Sequence, residues 1–336
     1  MKKSYIESSW SRKDQKLDTK LRPASLSQFV GQDKAKEKLS VFIGAARQRK
    51  EALGHCLFCG PPGLGKTTLA HVIAEEMEVN ITTTSGPMLE KPADLAGILT
   101  NLAEGDILFI DEIHRLGKTV EEYLYSAMED FKLDLIIDSG AQARSVEVKL
   151  NRFTLVGATT KMGLISSPLL TRFLLTCRLD YYDKQSLSSI LERSSSLLSL
   201  DIRNDSLSEI AKRSRGTPRI ANNLLRWVRD YAQMRSANKL DQVSTRNALE
   251  LLDIDFLGLN EMDKSFLNFL IEKHQGGPVG INTIAAGVGE ESLTLSEVHE
   301  PFLLMQGLIS ITPRGRVASP LAYQHLGKSM PKNSQE

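Results

Sequence analysis

Gly60-Pro61-Pro62-Gly63-Leu64-Gly65-Lys66-Thr67-Thr68 fits the phosphate-binding loop pattern G-x-x-x-x-G-K-[ST] from Gly60 to Thr67. The apolar run Cys56-Leu57-Phe58-Cys59 before it predicts a short buried strand. After it, apolar residues recur at helical spacing, namely Leu69, Ala70, Ile73, Ala74 and Met77. The loop is therefore expected to join a strand to a helix, as phosphate binding requires. The alternative is a glycine turn that only closes a strand-helix unit.

Phosphate chemistry accounts for the residue types in this loop. Glycines such as Gly63 and Gly65 let the backbone wrap closely enough for successive N–H groups to point at phosphate oxygens, and the helix N-terminus adds its dipole. Lys66 can then reach the β- and γ-phosphates, while the hydroxyl of Thr67, next to Thr68, is placed to ligate Mg²⁺. The expected ligands are ATP and Mg²⁺.

Composition restricts the classes of protein that fit. The 336 residues carry 42 basic and 41 acidic side chains, so any contact with DNA must be local. No apolar run approaches the roughly 18 residues that span a bilayer, and residues 1–20 are polar, which predicts a cytoplasmic protein with a flexible N-terminal arm and no membrane contact. The 3 cysteines form no disulfide framework, and Cys56 and Cys59 are expected to pack in the core.

Strands alternate with helices between residues 21 and 183. The predicted strands cover 56–59, 79–84, 107–110, 153–158 and 174–179. This alternation predicts an α/β fold, in which a parallel sheet is covered on both faces and the nucleotide lies at the carboxyl ends of the strands.

Two carboxylates follow one of these strands. Asp111 comes directly after Ile107–Ile110, which places it at the edge of the sheet facing the Mg²⁺. Glu112, one residue on, can polarise the attacking water. Thr159 and Thr160 follow another strand, where either hydroxyl could orient that water. Ordinary solvated acids and strand-end threonines are the alternatives.

The alternation breaks between residues 131 and 149. Residues 131–138 and 144–149 predict a β-hairpin inserted into the nucleotide-binding domain. Leu133, Leu135 and Ile137 share one face of it. We expect this face to be an exposed apolar surface that binds a partner, with packing against the domain itself as the alternative.

Helical patterns replace strands between residues 184 and 256, which predicts a small helical domain. Gly216-Thr217-Pro218-Arg219 opens its last long helix. Thr217 can cap the helix, Pro218 fits the first turn, and Arg219 could face a phosphate. A solvated helix charge is the alternative for Arg219.

Residues 257–330 predict a winged helix-turn-helix of three helices and a terminal hairpin, before a tail at 331–336. The turn of the hairpin carries Arg314 and Arg316, but acidic residues such as Glu291 offset them. Contact of these arginines with DNA phosphates therefore fits better than a helix that reads bases. A winged helix that binds protein is the alternative.

Short motifs run through the chain from Leu21 to about Gly327. They are Leu21-Arg22-Pro23, Gly60 to Thr68, Thr84-Ser85-Gly86-Pro87, Leu89-Glu90-Lys91, Phe109-Ile110-Asp111-Glu112-Ile113-His114-Arg115-Leu116, Ala127-Met128-Glu129-Asp130, Gly157-Ala158-Thr159-Thr160, Gly216-Thr217-Pro218-Arg219-Ile220-Ala221-Asn222 and Thr312-Pro313-Arg314-Gly315-Arg316. In this combination the chain resembles the bacterial motors of Holliday-junction branch migration, a family within the AAA+ ATPases. The family often has arginine where Leu170 stands and a basic residue where Ile311 stands. Neither departure touches the residues expected to act in hydrolysis.

The resemblance implies a hexameric ring that hydrolyses ATP to pull duplex DNA through branch migration in homologous recombination and recombinational repair. Its implied partners are the junction-binding protein RuvA, which the hairpin would grip, and RuvC in a larger complex. The nucleotide contacts that it implies are Leu21 and Arg22 at the adenine, Thr160 or Thr159 as sensor, Arg219 as second sensor, Arg172 as arginine finger, Tyr182 beside the nucleotide, and Glu129, Asp130 and Phe131. Because Arg172 follows the sensor strand, beyond the edge of the sheet, we expect it to project away from its own nucleotide toward that of a neighbouring copy in a ring, with a surface arginine as the alternative.

Two other classes of protein fit parts of the sequence. An AAA+ clamp loader would share the loop, the acids and the finger, but has no reason for both the hairpin and the winged helix. An ATP-gated DNA-binding switch would need a helix that reads bases, and residues 291–306 are too acidic at their start to predict one. Comparison of a four-way junction with linear duplex, with RuvA and ATP added, separates the three.

Overall fold

The computed structural model describes residues 21–137, 144–236 and 238–330, and at 135–137 and 144–145 it describes the backbone alone. The predicted N-terminal arm and C-terminal tail lie outside the described residues. No helix in the described part of the chain is both long and apolar enough to cross a membrane.

Contacts divide the chain into two compact units. The first holds the described residues up to Ser199 together with Gly216–Asn223. The second holds Leu200–Arg215 and the described residues from Leu224 onward. The helices after residue 200 therefore group with the C-terminal part, and the domain boundaries drawn from the sequence stay a prediction.

The first unit is built around a parallel sheet. In chain order its elements are α1 (Asp33–Arg49), β1 (Cys56–Cys59), α2 (Lys66–Met77), β2 (Ile81–Ser85), α3 (Pro92–Leu99), β3 (Ile107–Asp111), α4 (Lys118–Glu129), β4 (Lys132–Ile137), β5 (Arg144–Lys149), β6 (Thr154–Thr159), α5 (Ser167–Thr171), β7 (Leu175–Arg178) and α6 (Lys184–Leu197). The sheet has the strand order β2-β3-β6-β1-β7, and each neighbouring pair is parallel. The predicted α/β fold is confirmed.

The central strands are buried because the sequence supplies apolar side chains to both faces. β1 and β6 are buried along their whole length. Leu57, Leu108 and Leu155 join a hydrophobic core that also takes in apolar side chains of α3 and α4. Cys56 and Cys59 are buried in β1, as predicted. Because parallel strands of this kind are buried on both faces, polar functional side chains can lie only at the ends of the strands.

The residue that follows β1 has to be a glycine. Gly60 has a φ of 140°, and a Cβ there would lie 2.3 Å from the carbonyl oxygen of Leu179. Its N–H donates to the carbonyl oxygen of Thr159 at 3.2 Å. The phosphate-binding loop therefore starts between the ends of β6 and β7.

A buried histidine precedes β1 and ties two elements of the first unit together. The backbone N–H of Leu155 donates to Nδ1 of His55 at 2.9 Å, so this nitrogen must be an acceptor. The proton of the neutral ring is then on Nε2, which donates to the carbonyl oxygen of Met128 at 3.1 Å. Burial lowers the pKa of His55, and the hydrogen bond to Met128 partly opposes this.

We expect His55 to make the first unit less stable as the pH falls below about 6.5, the ordinary pKa of histidine. Because the pKa of His55 is lowered in the folded chain, the unfolded chain binds a proton there that the folded chain does not. Each pH unit of this range costs up to about 1.4 kcal/mol of folding free energy. His55→Asn keeps an acceptor near Leu155 but cannot titrate. Urea unfolding of both proteins from about pH 7.5 to about pH 5 should show a steeper loss for the wild type, and parallel losses would contradict the assignment.

The second unit is helical and ends in a small hairpin. In chain order its elements are α7 (Asn204–Arg213), α8 (Pro218–Arg235, of which the residues up to Asn223 belong to the first unit), α9 (Gln242–Glu250), α10 (Glu261–Asn268), α11 (Ile281–Val288), α12 (Ser292–Thr294), α13 (Glu300–Met305), β8 (Ile309–Thr312), β9 (Gly315–Ala318) and α14 (Pro320–His325). A π-helical turn at Leu295–His299 joins α12 to α13. Phe266, Leu270 and Leu303 are fully buried in one core, over which β8 and β9 form the wing of the predicted winged helix.

The predicted hairpin forms, with β4 and β5 paired antiparallel. Leu133 is fully buried in the core of the first unit, so the prediction that it belongs to an exposed partner-binding face is wrong. The reason is that β4 follows α4 almost directly and is still inside the domain at this residue. On the facing strand Val146, in register with Leu135, is 43% exposed. The side chains of Leu135 and Ile137 lie outside the described residues.

Candidate nucleotide site

A pocket in the first unit brings together most of the residues predicted for nucleotide binding. The predicted residues that line it are Leu21, Arg22, Gly63, Gly65, Lys66, Thr67, Thr68, Asp111, Glu112, Tyr182 and Arg219. They come from the chain before α1, the phosphate-binding loop, the end of β3, the end of the sheet after β7, and the start of α8. The pocket therefore lies at the carboxyl ends of parallel strands, where this kind of sheet binds its ligands.

Lys66 is held by the phosphate-binding loop itself. Its Nζ donates to the carbonyl oxygens of Gly60 at 2.8 Å and Pro61 at 2.9 Å. Burial lowers the pKa of Lys66, whereas the nearby carboxylates of Asp111 and Glu112 raise it. Because α2 begins at Lys66, its N-terminal N–H groups and this ammonium attract the same anion.

β3 delivers both predicted carboxylates to the pocket. Asp111 is its last residue, and Oδ1 of Asp111 accepts the backbone N–H of Glu112 at 3.0 Å. Glu112 has a left-handed backbone, with a φ of 48°, which is uncommon for a residue other than glycine. Gly86 makes room for this turn, since a Cβ at Gly86 would lie 2.5 Å from the carbonyl oxygen of Glu112. The sequence marks Gly86 only as part of a short motif and does not predict its contact with Glu112.

The two threonines after β6 have different partners. The hydroxyl of Thr160 donates to Oε2 of Glu112 at 3.1 Å. The hydroxyl of Thr159 lies 2.9 Å from Nδ1 of His114 and accepts the backbone N–H of Lys161. Nδ1 of His114 is also 3.3 Å from Oε2 of Glu112. Thr160 is therefore the threonine in direct contact with the carboxylate expected to act on water.

An arginine that the sequence analysis missed holds the first residues of the pocket. Arg193 on α6 donates to the carbonyl oxygen of Leu21 at 2.6 Å and to that of Arg22 at 3.0 Å. Arg193 also lines the pocket, together with Phe29 and Ile190. Ile190 and Arg193 lie one turn apart on α6, but no local spacing in the sequence connects this helix to Phe29 or to Leu21.

Tyr182 forms a wall of the pocket behind the phosphate-binding loop. Its hydroxyl donates to the carbonyl oxygen of Leu64 at 3.2 Å, and burial raises the pKa of Tyr182. A Cβ at Gly31 would lie 2.8 Å from the tyrosine ring. The ring therefore packs on bare backbone and stays a neutral hydrogen-bond donor.

The start of α8 packs on the phosphate-binding loop. The backbone N–H of Arg219 donates to the carbonyl oxygen of Gly63 at 3.4 Å, and a Cβ at Gly63 would lie 2.7 Å from Cγ2 of Thr217. Arg219 lines the pocket and is close enough to Lys66 to lower the pKa of that lysine. The two positive charges face the same space, which fits a ligand of high negative charge.

Arg172 and its neighbours are not brought into this pocket. The described lining contains neither Arg172 nor Glu129, Asp130 and Phe131. For Arg172 this agrees with the expected action on a neighbour's nucleotide, and the nucleotide contacts of all four residues stay a prediction. Instead, Arg172 pairs with Glu129 at 3.0 Å and stacks on the ring of Tyr125 at 4.4 Å. Its Nε is buried and has no hydrogen-bond partner among the described residues.

The two arginines of the wing have different surroundings. Arg314 is exposed in the turn between β8 and β9. Arg316 is bound by a buried carboxylate: its Nε and Nη2 donate to Oε1 and Oε2 of Glu300, both at 2.9 Å. The prediction that Arg316 contacts DNA phosphates therefore does not fit its geometry, because the guanidinium fork is already engaged inside the protein.

We expect Arg314→Ala and Arg316→Ala to have different effects. Arg314→Ala should weaken binding to duplex DNA of any sequence and reduce the slope of log K against log salt concentration by roughly one unit. Arg316→Ala should instead lower the free energy of unfolding by about 3 kcal/mol, since it leaves Glu300 buried without its partner. Salt titrations of DNA binding and urea unfolding check the pair, and a change of sequence preference in Arg314→Ala would contradict the phosphate contact.

The fold and this pocket define the chain as a P-loop ATPase. Three family models match it: the Holliday junction DNA helicase RuvB P-loop domain over residues 21–179, the RuvB AAA lid domain over 182–255 and the RuvB C-terminal winged helix domain over 256–327. The chain belongs to the RuvB family, whose members are AAA+ ATPases.

Curated relatives and solved structures agree with this assignment. The Holliday junction branch migration complex subunit RuvB of Protochlamydia amoebophila is 58% identical over 97% of this chain and 98% of its own length. That of Chlamydia trachomatis serovar A is 57% identical over 94% of this chain and 95% of its own. The structure of the Thermotoga maritima RuvB Holliday junction branch migration motor has a TM-score of 0.83 and 49% identity, covering 93% of this chain and 100% of that one.

Proposed function

We propose that this chain is a ring motor that hydrolyses ATP to pull duplex DNA and thereby drives branch migration of Holliday junctions in recombination and repair. The observation that carries the proposal is Glu112, which lines the same pocket as Lys66 and is bonded to Thr160. A carboxylate in that position fits the activation of water for attack on a γ-phosphate. Membership of the RuvB family connects this chemistry to DNA junctions.

The residues of the pocket divide the work of hydrolysis between them. Lys66 and Arg219 offset the negative charge of the phosphates. Glu112 polarises the attacking water, and Thr160 orients the Glu112 carboxylate through its hydrogen bond at 3.1 Å. Arg193 keeps the backbone of Leu21 in place as part of the wall that receives the base.

Thr67 and Asp111 fit a magnesium ion. Hydroxyl and carboxylate oxygens are the ligands that Mg²⁺ prefers, and both residues line the pocket. Asp111 has a second carboxylate oxygen besides the one that accepts the N–H of Glu112. When bound, Mg²⁺ would add positive charge between the phosphates.

Arg172 is proposed to act on the nucleotide of a neighbouring copy in a hexameric ring. Three contacts orient its guanidinium: the carbonyl oxygen of Pro168 at 2.7 Å, Glu129 at 3.0 Å and the ring of Tyr125. This support lies outside the chain's own pocket. An arginine held in that way is ready to meet a phosphate that another subunit brings to it.

The remaining parts are proposed to contact DNA and partners. In this proposal residues 21–183 form the ATPase domain, 184–256 the lid and 257–330 the winged helix, with Arg314 on duplex DNA. The hairpin formed by β4 and β5 binds RuvA, and RuvC joins the larger complex on the junction. A cytoplasmic location, where a bacterial chromosome lies, follows from the same proposal.

We expect Val146→Glu to abolish stimulation by RuvA while leaving the intrinsic ATPase activity unchanged. Val146 presents an exposed apolar side chain on the hairpin, and a charge there would be desolvated in an apolar interface. Val243→Glu is the matched control, since Val243 is 68% exposed on α9. ATPase assays with and without RuvA check this. Equal stimulation of both variants by RuvA would contradict the proposal that the hairpin binds RuvA.

Comparison of DNA substrates tests the proposal against its rivals. ATPase activity and strand-exchange products are measured with a four-way junction and with linear duplex of the same sequence, with RuvA present. We expect the junction to be dissociated and the duplex to be left intact. ATPase activity without junction dissociation would favour a clamp loader. DNA binding that follows nucleotide state without turnover would favour an ATP-gated switch.

A further inference from the structure

A cluster of charged and titratable side chains lies inside the second unit and shares no residue with the described lining of the nucleotide pocket. Arg215 pairs with Asp263, whose Oδ1 lies 2.7 Å from Nδ1 of His299. The side chain of Asp263 is fully buried, and those of Arg215 and His299 are 10% and 8% exposed. Arg215 follows α7, whereas Asp263 and His299 belong to the winged helix. The cluster therefore joins two parts of the second unit that are far apart in the sequence.

Arg215 makes contacts that lysine could not reproduce. Its Nε donates to the carbonyl oxygen of Gly258 at 2.9 Å, while Nη2 donates to Asp263. The guanidinium also stacks on the ring of Phe302 at 4.5 Å. The guanidinium is planar, donates hydrogen bonds at its edge and stacks on an aromatic ring with its face. These contacts fix both the position and the orientation of the Arg215 side chain.

The segment between α9 and α10 is also held in place. Arg213 donates to the carbonyl oxygen of Ile254 at 2.9 Å, and a Cβ at Gly258 would lie 2.8 Å from the carbonyl oxygen of Arg213. Oδ2 of Asp255 lies 2.7 Å from Nε2 of His325 on α14. The segment that leads to the winged helix is therefore packed against α7 and α14.

The polar contacts continue from the cluster to the wing. His299 is followed in the chain by Glu300, which is 3% exposed and binds Arg316 through two hydrogen bonds of 2.9 Å. Arg316 lies on β9, next to the turn that carries Arg314. Buried charge pairs thus lead from Arg215 to the element proposed to contact DNA.

Arg215 also connects the cluster to the nucleotide pocket along the chain, because it directly precedes Gly216-Thr217-Pro218-Arg219. Thr217 touches Gly63 of the phosphate-binding loop, and Arg219 lines the nucleotide pocket. Arg215 and Gly216 have consecutive left-handed backbones, with φ of 52° and 67°. The backbone therefore connects the motif that lines the nucleotide pocket directly to Arg215.

We propose that Arg215 is a positioning residue that couples the nucleotide state to the winged helix through Asp263 and His299. The inference rests on the proposed function, since it supplies the link between hydrolysis and the pull on DNA. A buried ion pair is an inefficient way to gain stability, because well-packed apolar residues of similar volume often do as well. The cluster instead fixes the positions of Arg215, Asp263 and His299 relative to one another.

The test measures the ratio of duplex DNA affinities in the presence of a non-hydrolysable ATP analogue and of ADP, in the full-length protein. Arg215→Gln and His299→Gln are compared with wild type, and thermal unfolding is recorded for each variant. His299→Gln interrupts the cluster without breaking the Arg215–Asp263 pair, so it should fold even if Arg215→Gln does not. Arg213→Gln is the matched control: it removes a buried arginine that pairs with Glu209 but does not contact Asp263 in the described structure.

We expect both cluster variants to reduce the affinity ratio about tenfold, a typical size for coupling between two sites, with nucleotide affinity unchanged. Arg213→Gln should keep the wild-type ratio. A wild-type ratio in His299→Gln, or an equal loss in Arg213→Gln, would overturn the inference while leaving the proposed function intact. A wild type that neither dissociates junctions nor changes its DNA affinity with nucleotide would overturn both.

Discussion

Glu112→Gln binds ATP with the affinity of the wild type but hydrolyses it about 10² to 10⁴ times more slowly, the size of effect that general base catalysis contributes. The substitution keeps the shape of the side chain and removes the charge that polarises water. Lys66, Thr67 and Asp111, which line the same pocket, are left in place. The left-handed turn at Glu112 is also kept, because it depends on Gly86 and not on the carboxylate.

Nucleotide binding by fluorescence and steady-state phosphate release measure the two halves of this prediction separately. Glu75→Gln is the matched control, since Glu75 is an exposed carboxylate on α2, outside the lining of the pocket. Undiminished phosphate release in Glu112→Gln would contradict the proposal that Glu112 polarises the attacking water. A loss of ATP affinity would show that Glu112 holds the pocket together instead.

The phosphate-binding loop and the two carboxylates that line the pocket could be predicted because their signals are local. The phosphate-binding loop is a continuous pattern, and Asp111 and Glu112 follow a run of apolar residues that had to be a buried strand. A parallel sheet places the ends of its strands together, so the two motifs had to meet. Sequence spacing alone was enough for these positions.

Other site residues depend on contacts between distant parts of the chain. Arg193 bonds the backbone of Leu21, 172 positions earlier. Gly86, in the 3-10 turn that follows β2, lies directly against the backbone of Glu112. Neither contact leaves a pattern in the local sequence, since arginines on helices and glycines in turns occur for many other reasons.

Leu133 and Arg316 differ from their predicted roles for the same physical reason. The alternation of apolar residues in the hairpin identified one face, but not the point at which that face leaves the core, and Leu133 is still inside it. The basic turn of the wing identified two arginines, but not the buried Glu300 that binds Arg316. The pattern of apolar residues and the charge of a segment describe that segment by itself. The burial of its side chains depends on the other elements that pack against it.

Arg172→Ala subunits bind ATP and hydrolyse it about 10³ to 10⁵ times more slowly as a homo-oligomer, the range known for loss of an arginine finger. In the transition state negative charge spreads over the γ-phosphate oxygens, and Lys66 and Arg219 cover only part of it. Arg172 lies outside the described lining of its own pocket, which is why we propose that it acts on the nucleotide of a neighbouring copy. Arg178→Ala is the control, because Arg178 is a largely exposed arginine at the end of β7.

Mixed oligomers separate action on a neighbour from action within one chain. Lys66→Ala subunits carry an intact Arg172 but a pocket that holds phosphate poorly. Together with Arg172→Ala subunits they should form some complete sites and regain activity that neither parent has. If co-assembly is confirmed by size and the mixture is no more active than its parents, the shared site is contradicted.

Dissociation of a four-way junction is the measurement that tests the central claim, that hydrolysis in this pocket moves DNA. The rate of conversion of a labelled junction into duplex products is followed with RuvA present, for wild type with ATP, wild type with a non-hydrolysable analogue, and Glu112→Gln with ATP. The proposed motor predicts products only in the first of these reactions, with the junction bound in all of them. Products formed at the wild-type rate by Glu112→Gln, or with the analogue, would contradict it.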